Sequence, residues 1–300
     1  MTAAGIAAPT GLRATLIANP CSHRMTQERL RAVEHELGRT LRVTTVLTER
    51  RGHATELARD ADADLIVAYG GDGLSNEVLN GATGLIPLGF VPGGHTNVFP
   101  RSLGLPRDPV AAAAAIAGGH PRRISLGRVN GRRFAFSAGI GVGAEAVRHI
   151  DALGRTPDGR RANDLTFARI VAAKLLHGYD SALEIVGFGR AAMAFVSNDA
   201  VFSYAGRLPI KLSPKARFEL GLDLTAPARV DLATLARLVP RLTAGNGLDD
   251  TRGVIAGHDL DRIEVHSAEP RPLQADGEDL GDVGHAVFES ERDAVSVLVP

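Results

Sequence analysis

Two stretches of this chain set acidic side chains in glycine turns, where a carboxylate can meet a substrate. The first, AYGGDGLSNEVLNGATG (68–84), places Asp72 among Gly70, Gly71 and Gly73, after an apolar run and before a helical one. Such strand-to-helix turns ordinarily gather anions, because their bare N–H groups and the helix N-terminus are electropositive. A carboxylate in that position needs a counterpart: a metal ion, a departing proton, or the first amides of the following helix if Asp72 is an N-cap. The turn has neither G-x-G-x-x-G spacing nor the Gly-Lys-Ser/Thr of a Walker A loop. Glu77 and Asn80 fall i, i+3 on one face of the helix and read, by themselves, as a solvated face with Glu77 near the positive helix end. The second stretch, LQADGEDLGD (273–282), holds Asp276 and Glu278, and in isolation reads as an acidic β-turn with Asp-Gly at its tip.

Two further loops share the character of the first. NPCSHR (19–24) and VPGGHTNVFPR (91–101) each follow an apolar run and precede a helix. In a parallel sheet the carboxyl ends of the strands lie along one edge, so these turns are expected to converge with 70–73 on one crevice. Two N–H-rich loops meeting an acidic one suit a nucleoside triphosphate with its metal.

The elements that must hold these turns follow from the hydrophobic pattern. Strands are expected at 12–20, 41–48, 64–69 and within 84–94. Helices are expected at 26–37 (stripe Leu30, Val33, Leu37, stop at Gly38), 53–61, about 74–79, from 96 onward with Pro100 in the first turn, and 108–119. Strand and helix alternate, the pattern of a parallel sheet covered on both faces. After Pro121 the pattern turns mostly antiparallel: Asn130-Gly131 marks a hairpin within 123–141, and strands are expected at 182–187, 191–197, 217–224, 261–267 and 285–299, with helices near 164–177 and 231–242. The first ten residues read as a tail. The expected domains are 11–125, an α/β nucleotide-binding domain, and 126–300, a β-rich domain whose final residues return to the first.

Bulk composition narrows the classes. At 300 residues, two domains are expected. The 34 basic residues balance 34 acidic ones, and aromatics are 4%, which speaks against a general nucleic-acid binder. The single cysteine, Cys21, allows no intrachain disulfide and fits a reducing compartment. No transmembrane segment and no signal peptide are expected, and the expected location is the cytoplasm. Segment 148–174 carries Arg148, Arg155, Arg160, Arg161, Arg169 and Lys174 against Asp151, Asp158 and Asp164. It is either a solvated face or a contact with anionic membrane on its inner side.

With these residues on the page, the chain resembles the diacylglycerol kinase catalytic-domain family of lipid kinases, which includes sphingosine kinases and bacterial soluble diacylglycerol kinases. GGDGLSNEVLNG (70–81) resembles the family's GGDGxxxEVxNG. IPLGFVPGGHTNVFPRSLGLP (86–106) is similar to its nucleotide loop, NPCSHR to its NPxSGK/R opening, LTERRGHATELA (47–58) to its Thr…Gly-His-Ala segment, and QADGE (274–278) to its late DGE motif. SPKARFELGLDL (213–224) is similar to the actinobacterial type. The resemblance implies an N-terminal three-layer α/β domain with a mostly parallel sheet, a C-terminal antiparallel β-sandwich, ATP with Mg²⁺, and a lipid substrate met at a membrane surface. A homodimer stays open.

Carried over by position, the nucleotide-binding set is Asn19, Ser22, Thr48, Gly70, Gly71, Asp72, Gly73, Glu77, Asn80, Gly94, His95, Thr96 and Asn97. The catalytic carboxylates are Asp72, Asp276 and Glu278. Glu278 is the first choice of base with Asp72 its rival, and Asp72 and Asp276 are the candidates to face Mg²⁺. His95 stands where the family usually has Ser or Thr, His23 where it has Gly, and Leu220 where many bacterial members have a metal-binding Asp, so a second, structural metal is not expected. Two other readings are a different kinase of the same fold, such as a relative of NAD kinase, and a nucleotide- or lipid-binding protein with weak catalysis.

Overall fold

A computed structural model describes residues 11–141, 143–145, 148 and 182–300. The expected tail at 1–10, the helix near 164–177 and all but Arg148 of the basic segment lie outside the described residues. The chain divides into two compact units. The first ends at Arg123 and takes back Val295–Pro300, and the second is Ile124–Ala294.

The first unit is built on parallel strands β1 (Arg13–Ala18), β2 (Arg42–Leu47), β3 (Leu65–Gly70) and β4 (Leu88–Pro92) in the order β2-β1-β3-β4. Val297, near the end of the last strand, extends the sheet by pairing parallel with Leu88. β3 and β4 are buried along their whole length, which is why 65–69 and 88–92 read as uninterrupted apolar runs; the edge strand β2 alternates instead. Helices α1 (Gln27–Leu37) and α5 (Pro109–Ala117) pack together, as do α2 (His53–Arg59) and α3 (Asp72–Gly81). α1 buries Leu30, Val33 and Leu37 and is capped by Thr26, while α5 is capped by Asp108 with Pro109 at its first position. α4 (Val98–Ser102) is a short helix with Pro100 in its first turn. Since β1 leads outward to β2 and β3 leads the other way to β4, the strand order reverses between β1 and β3. That is the place where open parallel sheets bind ligands.

The second unit is antiparallel. β5 (His120–Val129) and β6 (Arg132–Phe134) form the hairpin at Asn130-Gly131, both with positive φ. β7 (Ser137–Gly141), β10 (Met193–Ser197), β13 (Leu222–Pro227) and β14 (Val254–Leu260) lie side by side, and β15 (Arg262–Ala275) joins β7 to β16 (Glu278–Val299). β8 (Leu183–Ile185) and β9 (Gly189–Ala191) pair beside β15, and β11 (Val201–Ala205) pairs with β12 (Leu208–Lys211). Phe134, Ile140, Val196, Leu224, Val265 and Phe288 are at the centre of the core. α6 (Leu232–Thr243) is capped by Asp231.

The expected strand 217–224 is displaced: Arg217–Gly221 turn, and the strand begins at Leu222. The cause is local, since Gly221 donates its N–H to Asp259 Oδ1 instead of entering a ladder. β14 and the β11–β12 hairpin were not expected. No described helix is long and apolar enough to cross a membrane.

Candidate functional site

The three loops of the first unit meet at the carboxyl ends of β1, β3 and β4. The Asn19 N–H donates to the Tyr69 carbonyl at 3.1 Å, tying the first loop to β3. The Arg24 N–H donates to the Gly93 carbonyl at 2.9 Å, and the Gly93 N–H donates to the Gly70 carbonyl at 2.6 Å, so the first, third and second loops form one backbone-linked set. Within the first loop, Asn19 Oδ1 accepts from Cys21 N–H and the Asn19 carbonyl from Ser22 N–H, a turn made by an Asn side chain. Thr48 sits at the end of β2, its N–H donating to the Ala18 carbonyl.

Glycine is required here for close approach. A Cβ on Gly94 would lie 2.7 Å from Gly71 Cα, and one on Gly93 would lie 2.9 Å from Gly70 Cα. Asn97, buried and left-handed at φ 52°, clamps Gly94 by accepting from its N–H at 2.8 Å and donating to its carbonyl at 2.9 Å. Tyr69 lies beneath this loop, fully buried, and burial pushes its phenol above the ordinary value.

Asp72 is not the N-cap of its own helix. Gly71 holds that position and α3 starts without a side-chain cap. Asp72 instead reaches 26 residues along the chain: Val98 N–H donates to its Oδ2 and Phe99 N–H to its Oδ1, both at 3.0 Å. The carboxylate thereby neutralises the start of α4 and fixes the loop 93–97 above α3. The reading of Glu77 and Asn80 as a solvated face is also corrected. Glu77 Oε2 accepts from Ala54 N–H at the start of α2, and Asn80 donates to the Asn76 carbonyl within α3. Thr55 Oγ1 donates to the Glu77 carbonyl, and a Cβ on Gly81 would lie 2.2 Å from the Thr55 carbonyl oxygen. Much of the 70–81 motif therefore locks α3 to α2 and to the 93–97 loop. His23 and His95, the two departures from the family pattern, are both exposed and face each other edge to face with centroids 5.9 Å apart.

In the second unit, Asp276-Gly277 forms the two-residue turn of the β15–β16 hairpin, with φ of 49° and 79°. The Asp276 side chain turns inward, and Ala135, Phe136 and Ser137 donate their N–H groups to it at 2.6, 3.0 and 3.2 Å. Asn198, also fully buried, donates to the Ala135 and Ser125 carbonyls and completes the anchor. Glu278, two residues on, pairs with Arg132 at 2.6 Å. Arg132, Asn198 and the 135–137 amides escaped the sequence reading because nothing local marks a partner more than sixty residues away. Arg148 of the basic segment is bound to Asp279 at 3.0 Å and Asp282 at 2.7 Å, so it belongs to this hairpin and not to a solvated face. Beside Leu220, the Arg292 guanidinium lies 2.9 Å from where a Gly221 Cβ would be and pairs with Asp259 and Asp261.

The parallel-sheet unit with its glycine loops, followed by an antiparallel unit, is an architecture found in solved structures. One from Bacillus anthracis str. Sterne covers 96% of this chain and 97% of its own, with TM-score 0.74 at 20% identity. An NAD kinase from Archaeoglobus fulgidus in complex with ATP covers 95% of this chain and 92% of its own, with TM-score 0.50 at 14% identity. At those identities the likeness defines the fold. Residues 13–129 match the diacylglycerol kinase catalytic domain. The diacylglycerol kinase of Bacillus subtilis is 31% identical over 278 residues, 89% of each chain. That of Staphylococcus epidermidis is 41% identical over 93 residues, 29% of each. The chain belongs to the diacylglycerol kinase family, and that membership supports a lipid kinase.

Proposed function

We propose that this protein transfers the γ-phosphoryl group of ATP to a lipid hydroxyl, with diacylglycerol, converted to phosphatidic acid, as the leading substrate. The observation that carries the reading is the backbone-linked set of loops 19–24, 70–73 and 93–97 around the uncapped N-terminus of α3. These internal bonds shape the loops around the electropositive, glycine-rich start of α3, which is suited to phosphate oxygens. Asn19, Ser22, Thr48, Gly70, Gly71, Gly73, Gly94, His95, Thr96 and Asn97 belong to this nucleotide-binding part. Glu77 and Asn80 support it from behind by holding α3 to its neighbours. The ATP complex of the NAD kinase of similar fold favours the same nucleotide.

Phosphoryl transfer needs positioning, charge neutralisation and a place for the hydroxyl proton. Glu278 is the base of this reading: its carboxylate takes the proton, the lipid oxygen bonds to the γ-phosphorus, and the bond to the bridging oxygen breaks to leave ADP. Arg132 orients that carboxylate. Asp276 is a positioning residue, because its oxygens are taken by three amides in a buried site, which fits a magnesium ligand poorly. Asp72 is half-buried where Asp276 is buried, and is the better candidate to face the ion. Magnesium bound with the nucleotide would neutralise phosphate charge. A water-insoluble substrate also requires contact with a membrane surface, a contact this reading assigns to the protein's periphery.

Transfer of labelled phosphate from ATP to vesicles containing diacylglycerol, with other lipids and NAD as parallel acceptors, tests the reading. Glu278→Gln is expected to lower kcat by about 10²- to 10⁴-fold while calorimetry finds ATP binding intact. Labelling of NAD with no labelled lipid would defeat the proposal.

A further inference from the structure

The β15–β16 ladder carries a second cluster with its own chemistry. His266 and His285 are direct partners across the antiparallel pair, and Glu264, two residues before His266, lies on the same face of the sheet. The imidazoles are stacked, with centroids 4.5 Å apart and planes 8° from parallel. Glu264 Oε1 lies 3.0 Å from Nε2 of both rings. We infer that Glu264, His266 and His285 form a binding site for a divalent transition-metal ion of the zinc type.

Their three donor atoms all lie within 4.8 Å of one another. Zinc bonds of about 2.0–2.2 Å in tetrahedral geometry put donors roughly 3.3 Å apart. A slight opening of the two O···N contacts and a tilt of the parallel rings that brings their nitrogen ends together therefore admit the ion. Two imidazoles and one carboxylate suit Zn²⁺, Cu²⁺, Ni²⁺ or Co²⁺, whereas Mg²⁺ and Ca²⁺ prefer an all-oxygen shell. The donors sit on strands, so the backbone supplies the spacing. Arg262 holds the other Glu264 oxygen at 3.3 Å and is itself held by Glu289 at 2.7 Å, which leaves Oε1 turned to the histidines. With the histidine side chains 48% and 50% exposed, the ion would keep a position for water and exchange with solvent. The ladder slips directly after His266 and resumes at Arg271 opposite Val283, so the ion would clip the strands where their pairing is interrupted.

Equilibrium dialysis of the untagged full chain against Zn²⁺ alone, with thermal melts of the same samples, tests the site. One equivalent is expected, together with a zinc-dependent rise in melting temperature. Affinity should fall at least about tenfold (~1.4 kcal/mol) in His266→Asn and in His285→Asn, and remain unchanged in His35→Asn, whose histidine lies exposed on α1. Zn²⁺ should also shield His266 and His285 of the wild-type chain from diethyl pyrocarbonate, read by peptide mass mapping, a readout that needs no variant to fold. Zinc binding unchanged in the double variant His266→Asn/His285→Asn, or modification of both histidines at the same rate with and without zinc, overturns the inference.

Discussion

Asp72 and Asp276 illustrate how a carboxylate can be built into a site before any ligand arrives. Each accepts backbone N–H groups from a distant segment, two for Asp72 and three for Asp276. Buried donors left without an acceptor cost roughly 1–3 kcal/mol each. Asp276 is buried and Asp72 half-buried, so Asp276→Ala should destabilise the protein more than Asp72→Ala. Urea unfolding followed by circular dichroism is expected to give losses of about 3 kcal/mol or more for the first and about 1–3 for the second. Asp72→Asn should fall between wild type and Asp72→Ala because one acceptor oxygen survives. If Asp276→Ala unfolds within about 0.5 kcal/mol of wild type, the range of an ordinary surface change, the anchoring account fails. The same residues mark the reach of sequence reading. The types and turns of Asp72 and Asp276 were legible, but not their partners, because hydrogen bonds spanning 26 and about 140 residues leave no local periodicity.

Among elements, the contact of the 93–97 loop with the start of α3 is the one on which the proposed nucleotide binding rests. It is a backbone-to-backbone approach, and only the absence of a Cβ at Gly93 and Gly94 permits it. Gly94→Ala would press 2.7 Å against Gly71 Cα, and no side-chain rotation relieves a clash between main chains. The variant is expected to keep its far-ultraviolet circular dichroism and lose at least about tenfold in ATP affinity, ~1.4 kcal/mol, by calorimetry. Gly118→Ala, at a helix end where the nearest atom would be 3.6 Å away, should leave ATP affinity unchanged. Equal affinity for Gly94→Ala and wild type would show that this approach does not shape the proposed nucleotide site. The α/β elements were readable because α1 shows its stripe, α5 its Asp-Pro start and Gly stop, and β3 and β4 their unbroken apolar runs. The second unit was harder to read, since its ladders slip between Leu222 and Leu224 and between His266 and Arg271, so the alternation that reveals a strand changes phase within it.

Over the whole molecule the formal charges cancel, 34 against 34, yet the balance is uneven inside the second unit. Asp223 is 2% exposed, and burial raises its carboxyl above the ordinary aspartate value even though the Asp259 N–H and His258 pull the other way. Asp249 is raised by burial and then by the Asp223 charge, with Asp250 adding to the rise and Lys215 and His258 opposing it. The folded state thus holds these protons more tightly than the unfolded chain. Their contribution is fully present below the ordinary aspartate range and is lost as pH rises through the raised folded values, so at neutral pH both ionised groups oppose folding. Asp249→Asn removes one charge of the pair without removing volume. Calorimetric melts should show the variant more stable than wild type at pH 8, by a few degrees at most given about 2–4 °C per kcal/mol for units of this size. The advantage should disappear at pH 3, where wild-type Asp249 is protonated in both states. Because the chain has two units, the transition that moves identifies the one containing Asp249. An Asn variant less stable than wild type at pH 8 would mean that Asp249 has a favourable partner at neutral pH that outweighs its burial beside Asp223.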